Sequence, residues 1–213
     1  MDERRKRADA RRDDAGFTLI ELLVSMAVFT VFIAILLTTI VALSRSATRT
    51  QLVGESTNST LVVFGNMDRQ VRYADSINYP GAGTSGTRYV EFRIPAPSSA
   101  SGATTCIQWR FDVINQELDS RQWSDGSPTN ATAWSTKLEN VINDGVATHP
   151  FQLIPANISD SPRQQLVLTI DAGNSALDSG ASASTTFFAR NSSIKSTSND
   201  PLTPVCTFSG YRP

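Results

Sequence analysis

A single carboxylate stands at the head of a long uncharged run: Glu21 is followed by Leu22 to Ser44, which carries no charged side chain. A carboxylate inside a transmembrane helix costs about 2.5–3.5 kcal/mol at mid-helix, and less near the end. Such a group wants a cationic partner. Other reactive residue types are sparse. Cys106 and Cys206 are the only cysteines and His149 is the only histidine. A nucleophile, base and orienter set cannot be assembled from one histidine without a partner motif. No CxxC spacing offers a metal site, and no phosphate-cradling loop or dinucleotide fingerprint occurs. Asn199 and Asp200 lack the spaced oxygen ligands a Ca²⁺ site needs. The expectation is a non-enzyme with no catalytic residue, no cofactor and no metal. Sequons at Asn58, Asn130, Asn157 and Asn191 are weak signals in a chain so rich in Ser and Thr.

The element that must position Glu21 is a membrane helix. Leu22 to Leu43 contains only Ser25, Thr30, Thr38 and Thr39 as polar residues, with no Gly or Pro. At 1.5 Å per residue it spans about 33 Å, roughly a bilayer core. Only a closed hydrogen-bonding element survives there, and the four hydroxyls can bond back to helix carbonyls. The preceding leader carries Arg4, Arg5, Lys6, Arg7, Arg11 and Arg12. That basic cluster predicts an N-terminus held in the cytoplasm and a C-terminal part outside. An ordinary secretory signal with a cut at Ala42-Leu43-Ser44 would need a shorter apolar run. A plain signal anchor leaves Glu21 without a role.

Gly16-Phe17-Thr18-Leu19-Ile20-Glu21, with the apolar run behind it, resembles the start of the type IV pilin and type II secretion pseudopilin family. The resemblance covers about 35 residues. It implies cleavage by prepilin peptidase between Gly16 and Phe17 and N-methylation of Phe17, which keeps the charge. The new α-amine has an unperturbed pKa near 8 and lies about one helical turn from Glu21. In a staggered array, Glu21 of one subunit then meets the Phe17 ammonium of the next. The competing reading of Glu21 is an interfacial acid solvated among headgroups. The resemblance further implies other pilin or pseudopilin subunits and an inner-membrane assembly platform as partners.

Beyond the membrane, Leu61, Phe64, Met67, Val71, Ala74 and Ile77 recur at helical spacing. The spacing predicts an amphipathic helix over 45–79, stopped by Tyr79-Pro80-Gly81. Gly54 and the Ser56 to Thr60 run make a bend near 54–60 plausible. Strand alternation follows at Arg88–Ile94, Cys106–Val113, Glu117–Trp123, Gln165–Asp171 and Ser184–Arg190. Trp134 to Gly145 reads equally as short helix or strand. Ser98–Thr105, Ser124–Ser135 and Ile194–Pro204 read as surface loops. Trp109 is expected in the core, with Trp123 and Trp134 open.

The predicted architecture is therefore α+β. A leader (1–16) is followed by a transmembrane helix (17–44) and an amphipathic continuation (45–79). These carry an extracytoplasmic β-rich head (80–213) built on one antiparallel sheet of four or five strands. Outside the membrane, Cys106 and Cys206 face an oxidising space, so a disulfide is the natural reading and two free buried thiols the alternative. With 19 basic against 20 acidic residues, the chain lacks the basic surplus of a nucleic-acid binder.

The functional expectation is a minor subunit of a type IV pilus or type II secretion pseudopilus. It would be a single-pass cytoplasmic-membrane protein that passes into a surface filament. A competence-type pseudopilin aiding DNA uptake and a signal-anchored adhesin are the alternatives. Chain length and the absence of a Pro in the span favour a minor subunit by analogy.

Overall fold

The computed structural model describes residues 18–83, 86–174 and 179–213. The chain divides into two compact units at Ala47/Thr48.

Helix α1 runs Leu19–Arg72. It starts where it does because Thr18 caps it: the Thr18 hydroxyl accepts the Glu21 backbone N–H at 3.3 Å, and the Thr18 carbonyl accepts that of Leu22 at 3.2 Å. The part within the first unit is apolar on every side, and its side chains from Leu19 to Leu43 are exposed or nearly so. Its hydroxyls need no outside partner. Ser25 donates to the Leu22 carbonyl, Thr30 to Ala27, and Thr38 and Thr39 to Ile35, at 2.8–2.9 Å.

In the second unit the helix is sided. Thr60, Val63, Met67 and Val71 are buried. Leu61, expected on that stripe, is 61 % exposed, and Val63 takes the inward position instead. The helix also passes unbroken through Gly54 and Ser56 to Thr60. It ends at Arg72, seven residues before the expected stop at Tyr79. Tertiary partners take over there. The backbone N–H of Arg190 caps the Arg72 carbonyl at 3.1 Å, and the Asn191 side chain caps that of Tyr73 at 2.9 Å. Ser76–Ile77 then pairs as strand β1 with Arg93 and Phe92. Ala74 and Ile77 fit the helical spacing, yet Ala74 is buried in the turn that leaves the helix and Ile77 through strand pairing with Phe92.

The remaining strands are β2 (Gly81–Ala82), β3 (Arg88–Ile94), β4 (Thr105–Asp112), β5 (Glu117–Ser124), β6 (Ser135–Leu138), β7 (Phe151–Ile154), β8 (Gln165–Asn174) and β9 (Ser179–Phe188). Two antiparallel sheets form where one was expected. The first has the order β1-β3-β4-β5-β6 with β2 also on β3; the second is β7-β8-β9. Val141, beyond the end of β6, makes an isolated bridge to Ala172 of β8. The Trp134 to Gly145 ambiguity resolves as strand β6 over Ser135–Leu138.

The β4–β5 hairpin is set by its turn. Asp112 accepts backbone N–H bonds from Ile114 and Asn115 at 3.0 and 3.1 Å, and Gln116 adopts φ 57°. One core unites Val63, Met67 and Val71 of α1 with residues of both sheets, including Phe92, Trp109, Leu118, Leu166 and Leu168. The Trp109 indole, fully buried, donates to Gln70 at 2.9 Å. The arrangement is a pilin-like α+β fold, a long apolar N-terminal helix whose later half packs on antiparallel sheets.

Candidate functional site

Glu21 occupies the third position of α1, after Leu19 and Ile20. Its side chain is exposed, and its carboxylate has no partner among the described residues. Its backbone N–H is satisfied by the Thr18 hydroxyl, so the helix start is fixed while the carboxylate keeps no counter-charge among the described residues. Val24, Ser25, Val28 and Phe32 follow on the same helix face at spacings of three, four, seven and eleven. Thr18-x-x-Glu21 is a capping-box spacing, a start signal the reading of the span overlooked. Gly16 and Phe17, the expected cleavage and methylation sites, lie outside the described residues.

The prokaryotic N-terminal methylation motif matches residues 11–37. The chain carries the type IV pilin and pseudopilin signal. The matched span brackets Gly16, Phe17 and Glu21 and runs well into the apolar helix. It implies processing by prepilin peptidase and assembly with other pilin subunits, and it points to a structural protein. Together with a helix apolar and long enough to cross a bilayer, it fits a membrane-anchored precursor of a surface filament. Searches of curated proteins and of solved structures each returned no match.

The pilin-like head shows how its charges are handled. On β3, β4 and β5, alternation sends Val90, Phe92, Trp109 and Leu118 into the core and Glu91, Gln108, Arg110, Asp119 and Arg121 to the other face. Alternation alone would leave that face in water. Instead, Glu91 and Gln108 are 0 % exposed, because the segment from Val205 to Pro213 is strapped across it. Cys106 and Cys206 are disulfide-bonded, with Cα atoms 5.6 Å apart. Arg212 grips Glu91 through two nitrogens at 3.0 and 2.6 Å. The Tyr211 carbonyl accepts from Gln108 at 2.7 Å and from Arg121 at 3.0 Å. Asn78 holds Val205 from both sides of its amide. Trp123 and Phe208 meet edge to face at 5.3 Å beside the disulfide.

Both open tryptophans are accounted for. Trp123 is buried under the strap. Trp134 is half-buried and has the guanidiniums of Arg110 and Arg121 each 4.3 Å from its ring centroid. Burial pulls the Arg121 guanidinium below its ordinary range, opposed by Tyr89. Burial also acts to lower Arg212, but its hydrogen bond and charge pairing with Glu91 outweigh it and raise the group. The period-two placement of Cys106 with Gln108 and Arg110 was the available clue, since a disulfide on that face brings a covering segment with it.

The expected surface loop Ile194–Pro204 is partly interior. Ser198 is buried and donates to the Ile77 carbonyl at 2.8 Å. Asn199 spends its amide on both backbone groups of Ala156, and Asp200 accepts from Leu202. His149 bonds Asp144 at 2.5 Å on an exposed loop. That bond, with help from the Val146 N–H, holds the Asp144 carboxyl below its usual range. Among the described residues no three His, Cys, Asp or Glu side chains gather as metal ligands.

Proposed function

We propose that the chain is a minor subunit of a type IV pilus or type II secretion pseudopilus. In this reading prepilin peptidase removes residues 1–16, Phe17 becomes the methylated N-terminus, and residues 17–44 enter the filament core. The N-terminus starts on the cytoplasmic side, guided by the leader's basic cluster, and the head (80–213) faces outward. The observation that carries the reading is Glu21. Its backbone N–H is capped by Thr18, and its carboxylate, without a partner among the described residues, stands on a bare apolar helix inside the methylation motif. The Phe17 ammonium of a neighbouring subunit supplies the missing charge, and pairing sets the stagger between copies. Losing one side of such a pair costs about 3–5 kcal/mol when it is fully buried. Platform proteins of the inner membrane would then extract the subunit from the bilayer.

The test has two parts. N-terminal sequencing of the purified protein is expected to begin at Phe17; a start at Met1 or Arg45 removes the reading. Glu21→Leu is expected to insert into membranes normally and to be lost from filaments and sibling complexes. Incorporation at the wild-type level would sink the pairing.

A further inference from the structure

The head contains a cavity of about 310 Å³ between the later half of α1 and the β5–β6 edge. It lies on the core side of the sheet, where Ser120 and Gln122 project. Its chemistry is one-sided. Gln70 lines it, and the Gln70 carbonyl oxygen is occupied by the Trp109 indole N–H at 2.9 Å. An indole N–H can only donate, so the Gln70 amide is held with its NH₂ turned away from Trp109. Asn66 repeats the device one turn earlier, because its oxygen accepts from Arg69, another donor-only group. Neither NH₂ has a partner among the described residues.

Lys137 borders the same space. Its ammonium donates to Ser135 at 2.8 Å and makes no ion pair among the described residues. Arg121 also borders the cavity, but its guanidinium is committed to Gln108 and Tyr211 on the opposite face of the sheet. No carboxylate lines the cavity among the described residues. The Ser120 hydroxyl and the Gln122 amide add groups that can both donate and accept.

We infer that this cavity binds a carboxylate flanked by hydroxyls, the chemistry of a sugar acid. Two amide donors held by donor-only neighbours match the two oxygens of a carboxylate. The one ammonium, exposed at the rim, balances one negative charge, the charge of a carboxylate and less than that of a phosphate group at roughly −1.5 to −2. The two-way groups suit ring hydroxyls. The inference concerns the head alone and does not depend on how the N-terminal helix assembles.

The experiment uses the full chain in detergent micelles, titrated with sodium glucuronate and followed by tryptophan fluorescence and calorimetry. Saturable binding is expected, at least about tenfold tighter than for glucose, which lacks the charge. Acetate, which lacks the hydroxyls, and N-acetylglutamate amide, which presents a peptide-type acid, are also expected to bind more weakly. Lys137→Gln is expected to weaken glucuronate at least about tenfold. Gln70→Glu keeps an acceptor for Trp109 but puts a negative charge in the cavity, and is expected to abolish binding. Both variants are checked for an unchanged unfolding midpoint. Absence of saturable glucuronate binding, or equal binding by wild type and both variants, overturns the site. Tighter binding of inorganic phosphate or of N-acetylglutamate amide overturns the sugar-acid assignment.

Discussion

Glu21 and Glu91 are two acids of the same type in opposite situations. Glu91 lies fully buried in the head, and Arg212, Asn78 and Gln108 all donate to it. Glu21 lies exposed on α1, with no partner for its carboxylate among the described residues. The contrast extends to the surroundings. The head buries its apolar stripe and covers its charged sheet face with its own chain. The first unit leaves Leu19 to Leu43 uncovered, an apolar surface water would not tolerate. The head thus pairs its buried acid from within its own chain, whereas the N-terminal helix leaves its acid and its apolar surface open.

Four measurements break or sharpen that contrast. The largest effect is expected from replacing both Cys106 and Cys206 by Ser. Their bond closes a loop of 100 residues, and its removal should cost the head about 4.7 kcal/mol in the chain-entropy model. Denaturant unfolding of the full chain, followed by tryptophan fluorescence, reads this out; an unmoved midpoint would mean the strap is held by its other bonds alone. Next, Glu91→Ala should cost about 3–5 kcal/mol, because it leaves Arg212 without its buried partner. Glu21→Ala should leave head unfolding within about 0.5 kcal/mol. Equal losses from the two would erase the distinction.

A smaller effect is expected at the hairpin turn. Burial pushes Asp112 up, but bonds from Asn115 and Ile114 and the charge of Arg110 outweigh it and hold the carboxyl below 3.8. A depressed folded-state pKa gives stability that is present above the unfolded value and lost as pH falls through the folded one. The stability gap between wild type and Asp112→Asn should therefore close on acidification below about pH 3.8. A gap independent of pH would assign the effect to packing. Smallest is Thr18→Ala, which removes the cap at the cost of about 1 kcal/mol. It should speed amide exchange in the first turn of α1 and leave the head untouched.

Much of this was legible from residue pattern. The apolar run predicted a membrane-capable helix, and hydroxyl back-bonding in it follows from local geometry. Strand β3 matches its expected limits of Arg88–Ile94, β4 and β5 lie within one residue of theirs, and β8 and β9 overlap theirs, with β8 running on to Asn174 and β9 starting at Ser179. These features are local, so composition and period suffice. What failed was non-local. Leu61 and Val63 both suit a helix, and only the sheet beneath decides which one is buried. Ile77 fits a helix as well as a strand, and pairing with β3 decides. Short strands such as Ser76–Ile77, Gly81–Ala82 and Phe151–Ile154 have too little periodicity to read, so the edges of the two sheets, and the split between them, were beyond alternation.

The sequence by itself determined an apolar N-terminal helix, the solitary acid at its mouth and the motif around them, because each is a property of neighbouring residues. Only the tertiary structure decided that Glu91, Gln108 and Asp119 lie inside. Whether an alternating strand shows its polar face to water depends on what covers it. Here the cover arrives from about a hundred residues away, drawn over by Cys206 and Arg212.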